Sequence, residues 1–182
     1  MTDLKKNAHL DATHQDVTPT PITTVSSALM ATPLLATNHD LSVTTIQLDA
    51  LSARFIVLYF YPKDNTPGCT SEAQDFASHY TKFTAQDIAV IGVSRDDVSS
   101  HNKFIAKFDL PFPLIADVDE KLCTALDVIK LKNMYGKQVR GIERSTFVIN
   151  QQGEILKEWR KVKVEGHVAA VIEYLNTLDS KH

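Results

Sequence analysis

The segment Phe55-Ile56-Val57-Leu58-Tyr59-Phe60-Tyr61-Pro62-Lys63-Asp64-Asn65-Thr66-Pro67-Gly68-Cys69 decides the fold. Its first seven residues are aliphatic or aromatic without a charged interruption, the pattern of a strand buried on both faces. Pro62 ends that run because it cannot donate to a ladder, and Lys63 to Gly68 is turn chemistry. Past the turn, Ala73, Phe76, Tyr80 and Phe83 recur at intervals of three, four and three. This spacing predicts one helix from about Cys69 to Thr84 with a single apolar stripe.

Outward from that unit, Ile88 to Val93 reads as a second buried strand. Val98, Ile105 and Phe108 mark a helix that stops before Pro111, Leu114-Ile115-Ala116 a short strand, and Glu120 to Leu126 a further helix. Thr146 to Ile149 and Ile155 to Trp159 flank Asn150-Gln151-Gln152-Gly153 as the arms of a hairpin. A helix from His167 to Leu178 closes the chain with Val168, Val171, Ile172 and Leu175 inward, and Val43, Ile46 and Leu48 suggest a short strand near the start. Alternating strands and helices with a terminal hairpin predict an α/β sandwich with a central mixed β-sheet flanked by helices.

A length of 182 residues suits one domain with a surplus. That surplus is expected at the N-terminus: residues 1–27 carry Pro19 and Pro21 and no sustained period, so they read as a flexible tail, with the domain over 28–182. The run Ala28 to Ala36 resembles a secretory core, but some 27 mixed-charge residues precede it and Pro33 interrupts it, which favours the cytoplasm. No stretch is apolar enough to span a membrane. A formal charge of −3 argues against a nucleic-acid partner, and the basic residues Lys130, Lys132, Lys137 and Arg140 read as a solvated loop.

The chemistry lies in the turn. Cys69 falls in the first turn of the predicted helix, where unpaired amides and the helix dipole favour the thiolate, the nucleophilic form. Thr66 stands three residues earlier, placed to donate its hydroxyl to the sulfur or to a bound oxygen, while Pro62 and Pro67 hold the turn. Buried cysteine is common, so Cys69 alone would read equally as a packing residue.

The stretch Tyr59 to Pro62 with Thr66 to Glu72 resembles the active-site loop of the peroxiredoxins, in the bacterioferritin-comigratory-protein or Q-type branch. The likeness continues through Ile91 to Ser94, Leu114 to Asp117, Gly141 to Ile149 and Lys161 to His167, over roughly Leu41 to Leu178. It implies a thioredoxin-like fold, no cofactor, and peroxide reduction by Cys69 with Pro62, Thr66 and Arg144 as its catalytic companions. Without the resemblance, Arg144 would read as a loop charge; with it, a guanidinium stabilises the thiolate and the breaking O–O bond. Glu72 matches a glutamate that supports the loop, although a first-turn acid is also what a helix dipole prefers.

Attack on ROOH leaves a sulfenic acid that a second thiol must resolve. Many Q-type relatives carry that thiol five residues on, where this chain has Gln74. Cys123, the only other cysteine, is a candidate resolving thiol if its Cα comes within about 7 Å. The favoured expectation is one-cysteine chemistry with thioredoxin, glutaredoxin or glutathione as reductant, in a monomer or weak homo-oligomer. A redox sensor or holdase that oxidises once without turnover is the alternative. A cysteine hydrolase would need a histidine beside Cys69, and the spacing of the histidines supplies none; no metal-binding spacing is present either.

Overall fold

The computed structural model describes residues 21–180. The chain runs α1 (Ser27–Met30), β1 (Leu34–Thr37), β2 (Val43–Ile46), a 3₁₀ turn at Leu48–Ala50, β3 (Phe55–Phe60), α2 (Pro67–Ser78) and α3 (Tyr80–Thr84). It continues through β4 (Ile88–Ser94), α4 (Val98–Phe108), β5 (Leu114–Ala116), α5 (Lys121–Ala125), β6 (Ile129–Met134), β7 (Lys137–Ile142), β8 (Ser145–Asn150), β9 (Ile155–Trp159) and α6 (His167–Asp179). Seven strands form one mixed sheet in the order β2-β1-β5-β4-β3-β8-β9. β3 is parallel to β4 and antiparallel to β8, and β4 is parallel to β5.

Strand β3 lies inside the sheet and sends alternate side chains into two cores, as a period of two requires. Ile56, Leu58 and Phe60 pack with Phe147, Ile149, Leu122, Cys123 and Leu126 on one face. Val57, Tyr59 and Tyr61 pack with Cys69, Phe76, Phe104, Val148 and Val171 on the other. Helices α2, α4 and α6 therefore cover one face, and α1 and α5 the other. No helix among the described residues is long and apolar enough to cross a membrane.

Four local expectations are corrected. The single helix expected from Cys69 to Thr84 is two, divided at His79 (φ −103°, ψ 5°), whose ring Nδ1 lies 2.9 Å from the Asp75 carbonyl oxygen. The strand near Val43 stops at Ile46, and Leu48 opens the 3₁₀ turn; β1 lies within the run that resembled a secretory core. The expected solvated loop around Lys130 to Arg140 is the β6–β7 hairpin, closed by Tyr135 (φ 52°) and Gly136 (φ 76°), a two-residue turn of left-handed backbone whose twist suits a hairpin. Finally, the packed domain begins before residue 28. Val25 is buried and its N–H donates to the Gly153 carbonyl at 2.8 Å, while the Ile155 N–H donates to the Thr23 carbonyl at 2.9 Å. Residues 1–20 of the expected tail lie outside the described residues.

Candidate active site

Cys69 sits where strand physics and helix physics meet. β3 delivers the chain to one end of the sheet, Pro62 to Thr66 reverse it, and α2 starts at Pro67, which supplies the φ a first helical turn needs without adding an amide that lacks a partner. Cys69 is thus the third residue of α2, and no side chain caps that helix end. The thiol is almost fully buried, at 1% exposure.

Arg144, in the link from β7 to β8, reaches this sulfur: its Nη2 donates to Cys69 Sγ at 3.4 Å. Its Nη1 donates to Glu72 Oε2, one helical turn beyond Cys69, so one guanidinium spans the first two turns of α2. Gly68 makes this approach feasible, because a Cβ there would lie 3.2 Å from Arg144 Nη2. Glu72 is wholly buried; burial pushes its carboxyl up to about 7 against the pull of Arg144, and its Oε1 has no hydrogen-bond partner.

The expected role of Thr66 changes in detail. Its hydroxyl donates to the Lys63 carbonyl at 2.8 Å. With the proton so committed, the oxygen has lone pairs left to accept and no hydrogen to donate to the sulfur. Pro62 and Arg144 line one open pocket. Cys123 is not brought to the site: it belongs to the core on the opposite face of the sheet from Cys69. Both thiols are free.

Three features escaped the sequence. Asp64, read as a turn residue, anchors the turn from below: its carboxylate accepts from the Tyr61 hydroxyl at 2.7 Å and the Ser100 hydroxyl at 2.8 Å, and His101 Nδ1 lies 2.8 Å away. The Asp64 N–H donates to Asp96 Oδ2 at 2.9 Å, so four residues, two of them on α4, clamp the segment before Cys69. His167 stands near the arginine as well, 2.7 Å from the Thr146 hydroxyl, and burial followed by the charge of Arg144 pushes it down to about 4. A ring held neutral in this way does not compete with Arg144 as the cation beside Cys69. The third feature, Lys132, reaches the pocket mouth from the β6–β7 hairpin. Side-chain spacing in the sequence signals none of these: Asp64 and His167 have partners more than 20 residues away, and Lys132 is placed by the hairpin that carries it.

A larger concavity of about 760 Å3, lined by Asp49 to Phe55, Asp87 and Asn150 to Gln152, opens at the other end of β3. Neither it nor the smaller pocket is lined by a cysteine, but the smaller one is lined by Arg144, which contacts Cys69 Sγ.

Comparisons with known proteins bear on the family and the fold. A profile described as the AhpC/TSA family matches residues 30–158. Peroxiredoxin Bcp of Xanthomonas campestris pv. campestris is 48% identical over 154 residues, covering 83% of this chain and 96% of that protein. Peroxiredoxin Bcp of Bacillus subtilis is 50% identical over 137 residues, covering 75% and 87%. A solved bacterioferritin comigratory protein of X. campestris, described for its alkyl peroxide reduction activity, superposes with a TM-score of 0.79 at 46% identity, covering 87% of this chain and 98% of that one.

Proposed function

Because the chain belongs to the AhpC/TSA family, as a thioredoxin-fold peroxiredoxin of the Bcp or Q kind and hence a thiol peroxidase, we propose that Cys69 is its peroxidatic cysteine and that an external thiol completes the cycle. The observation that carries this is Arg144 Nη2 at 3.4 Å from Cys69 Sγ while Nη1 is held by Glu72. A charge-assisted donor already aimed at the sulfur stabilises the thiolate without reorganisation during the reaction.

In the first step, the Cys69 thiolate attacks the terminal oxygen of ROOH. An S–O bond forms as the O–O bond breaks, the alkoxide leaves and takes a proton from solvent, and Cys69 becomes a sulfenic acid. Arg144 faces the charge moving from sulfur to the leaving oxygen. Thr66 accepts the hydrogen bond of the terminal O–H, which orients that oxygen, and Pro62 keeps bulk water from the sulfur. Glu72 fixes the guanidinium. Hydrogen peroxide and organic hydroperoxides both satisfy this geometry, and the alkyl peroxide activity named for the X. campestris relative supports the second class.

Resolution by thioredoxin, glutaredoxin or glutathione is supported by the placement of the two thiols on opposite faces of the sheet. The incoming thiol displaces the hydroxyl of the sulfenic acid as water, giving a mixed disulfide that a second thiol reduces. We place this chemistry in the cytoplasm, in a monomer or weak homo-oligomer.

Continuous consumption of hydrogen peroxide, coupled to a thioredoxin system, is the test. Many turnovers per protein are expected, with none in Cys69→Ser. A single stoichiometric oxidation that then stops would instead mark a redox sensor or holdase, and mass analysis showing a Cys69–Cys123 bridge would make Cys123 the resolving thiol and leave the external thiol only to reduce that bridge.

A further inference from the structure

Between Pro62 and Thr66, two residues of the site, the chain reverses through a turn whose polar contacts run beneath it. Asn65 holds left-handed backbone (φ 59°), and the Thr66 hydroxyl closes the turn on the Lys63 carbonyl. Lys63 and Asn65 are exposed, yet the Asp64 side chain between them is 1% exposed. Burying a carboxylate is costly unless donors surround it and a cation balances it. Both conditions are met below the turn.

Asp64 Oδ1 accepts from the Tyr61 hydroxyl and Oδ2 from the Ser100 hydroxyl, with His101 Nδ1 2.8 Å from Oδ2. His101 is fully buried, and its second ring nitrogen, Nε2, lies 3.1 Å from the Ile115 carbonyl oxygen. A carboxylate and a carbonyl accept and cannot donate, so each of these contacts needs a proton on the ring. Two ring protons make His101 the cation that balances Asp64. No other histidine among the described residues is held through both ring nitrogens. The Ile115 contact also closes a circuit: Ile115 on β5 pairs with Val93 on β4, and the Val93 carbonyl accepts from the Tyr61 N–H at 3.1 Å. His101 thus ties the turn before Cys69 to β4, β5 and α4 together.

We propose that His101 is a positioning residue for the peroxide reaction, an imidazolium that fixes Asp64 and, through it, the turn carrying Thr66 and the start of α2. The proposal rests on Cys69 being the peroxidatic thiol. Arg144 reaches Cys69 from the link between β7 and β8, so their 3.4 Å contact requires α2 to start in the right place. Thr66 stands at the N-cap and makes no side-chain capping bond, which leaves the entry into the helix to the clamp on Asp64. A misplacement of about 1 Å in such a site costs on the order of 10²-fold in rate.

The test is stopped-flow oxidation of Cys69 by hydrogen peroxide, under conditions where circular dichroism shows each variant folded. A role in stability alone lowers the unfolding midpoint and leaves this rate at the wild-type value. His101→Leu is expected to slow it on the order of 10²-fold. His101→Asn, whose amide can donate to Asp64 from the place of Nδ1, is expected to keep most of the rate. His101→Gln, whose amide reaches towards Ile115 instead, is expected to lose it as His101→Leu does. Wild-type rates in all three folded variants, or equal losses in His101→Asn and His101→Gln, would overturn the proposal. If His101→Leu does not fold, the other two variants still decide. Nitrogen-15 NMR of the wild type adds a readout without turnover: both ring nitrogens of His101 should carry a proton at neutral pH, and a ring with one proton would overturn the proposal as well. Turnover that survives in Cys69→Ser would instead remove the peroxidatic reading of Cys69, and the proton count on His101 would be unaffected by it.

Discussion

Cys69 and Cys123 occupy the same local position, each the third residue of a helix that follows a strand and a turn. Their surroundings make them opposites. The start of α2 has no side-chain cap, and its sulfur faces Arg144. At the start of α5, the Asp117 carboxylate accepts from the Leu122 N–H at 3.3 Å and the Cys123 N–H at 2.8 Å, so the amides that would steady a thiolate are taken by another anion. Burial first, then the charge of Asp117, push the Cys123 thiol well up. A helix N-terminus activates a cysteine only when the field there is left unspent and a cation completes it.

The sharpest way to break this contrast is to exchange the sulfurs for oxygen one at a time. Cys69→Ser should lower peroxide turnover by at least about 10⁴-fold, as loss of a nucleophile does, whereas Cys123→Ser should keep most of it in a coupled peroxidase assay. Comparable losses would make Cys123 the resolving thiol and dissolve the distinction. Next in size, Arg144→Met should reduce the rate of sulfenic acid formation by about 10³-fold, the upper range for removing one preorganised donor. Stopped-flow measurement with hydrogen peroxide reads this directly, and an unchanged rate would remove Arg144 from the reacting atoms.

A third prediction concerns Glu72, which ties the arginine to α2. The fold favours its neutral form, because its carboxyl is raised from 4.5 to about 7. Its contribution to stability is therefore complete below about pH 4.5 and is lost as the pH climbs through about 7. Relative to Glu72→Gln, the wild type should lose on the order of 3 kcal/mol between pH 5 and 8 in denaturant unfolding. Parallel curves for the two proteins would show that Arg144 fully offsets the burial of the carboxylate. The smallest effect belongs to Cys123→Ser, which places a hydroxyl in an apolar core and should cost about 1 kcal/mol by chemical denaturation. A cost near zero would mean that the hydroxyl finds a partner in that core.

Much of the frame was legible because it depends on near neighbours. The run Phe55 to Tyr61 specifies a doubly buried strand, Pro62 its end, and Thr66-Pro67-Gly68 the start of a helix with Cys69 in its first turn. The misreadings fall where local pattern and long-range pairing disagree. In Ile129 to Met134, lysines alternate with apolar residues, a strand pattern whose charge favours a loop until the facing strand Lys137 to Ile142 supplies its ladder. Thr23 and Val25 look like tail residues until Gly153 and Ile155 offer them hydrogen bonds. His101 has no catalytic or metal-binding spacing, and gains a structural role only when Asp64, 37 residues earlier, is folded over it.

By itself, the order of residues determined that this is an α/β chain with a cysteine at a helix start, because strand burial, proline turns and helical stripes are set within a few residues of one another. Tertiary structure alone decided which of two equivalent helix starts meets a cation and which meets a carboxylate. Electrostatic fields are sums over space and not over sequence: Arg144 arrives at Cys69 from 75 residues away, and the sheet between the two thiols keeps them apart.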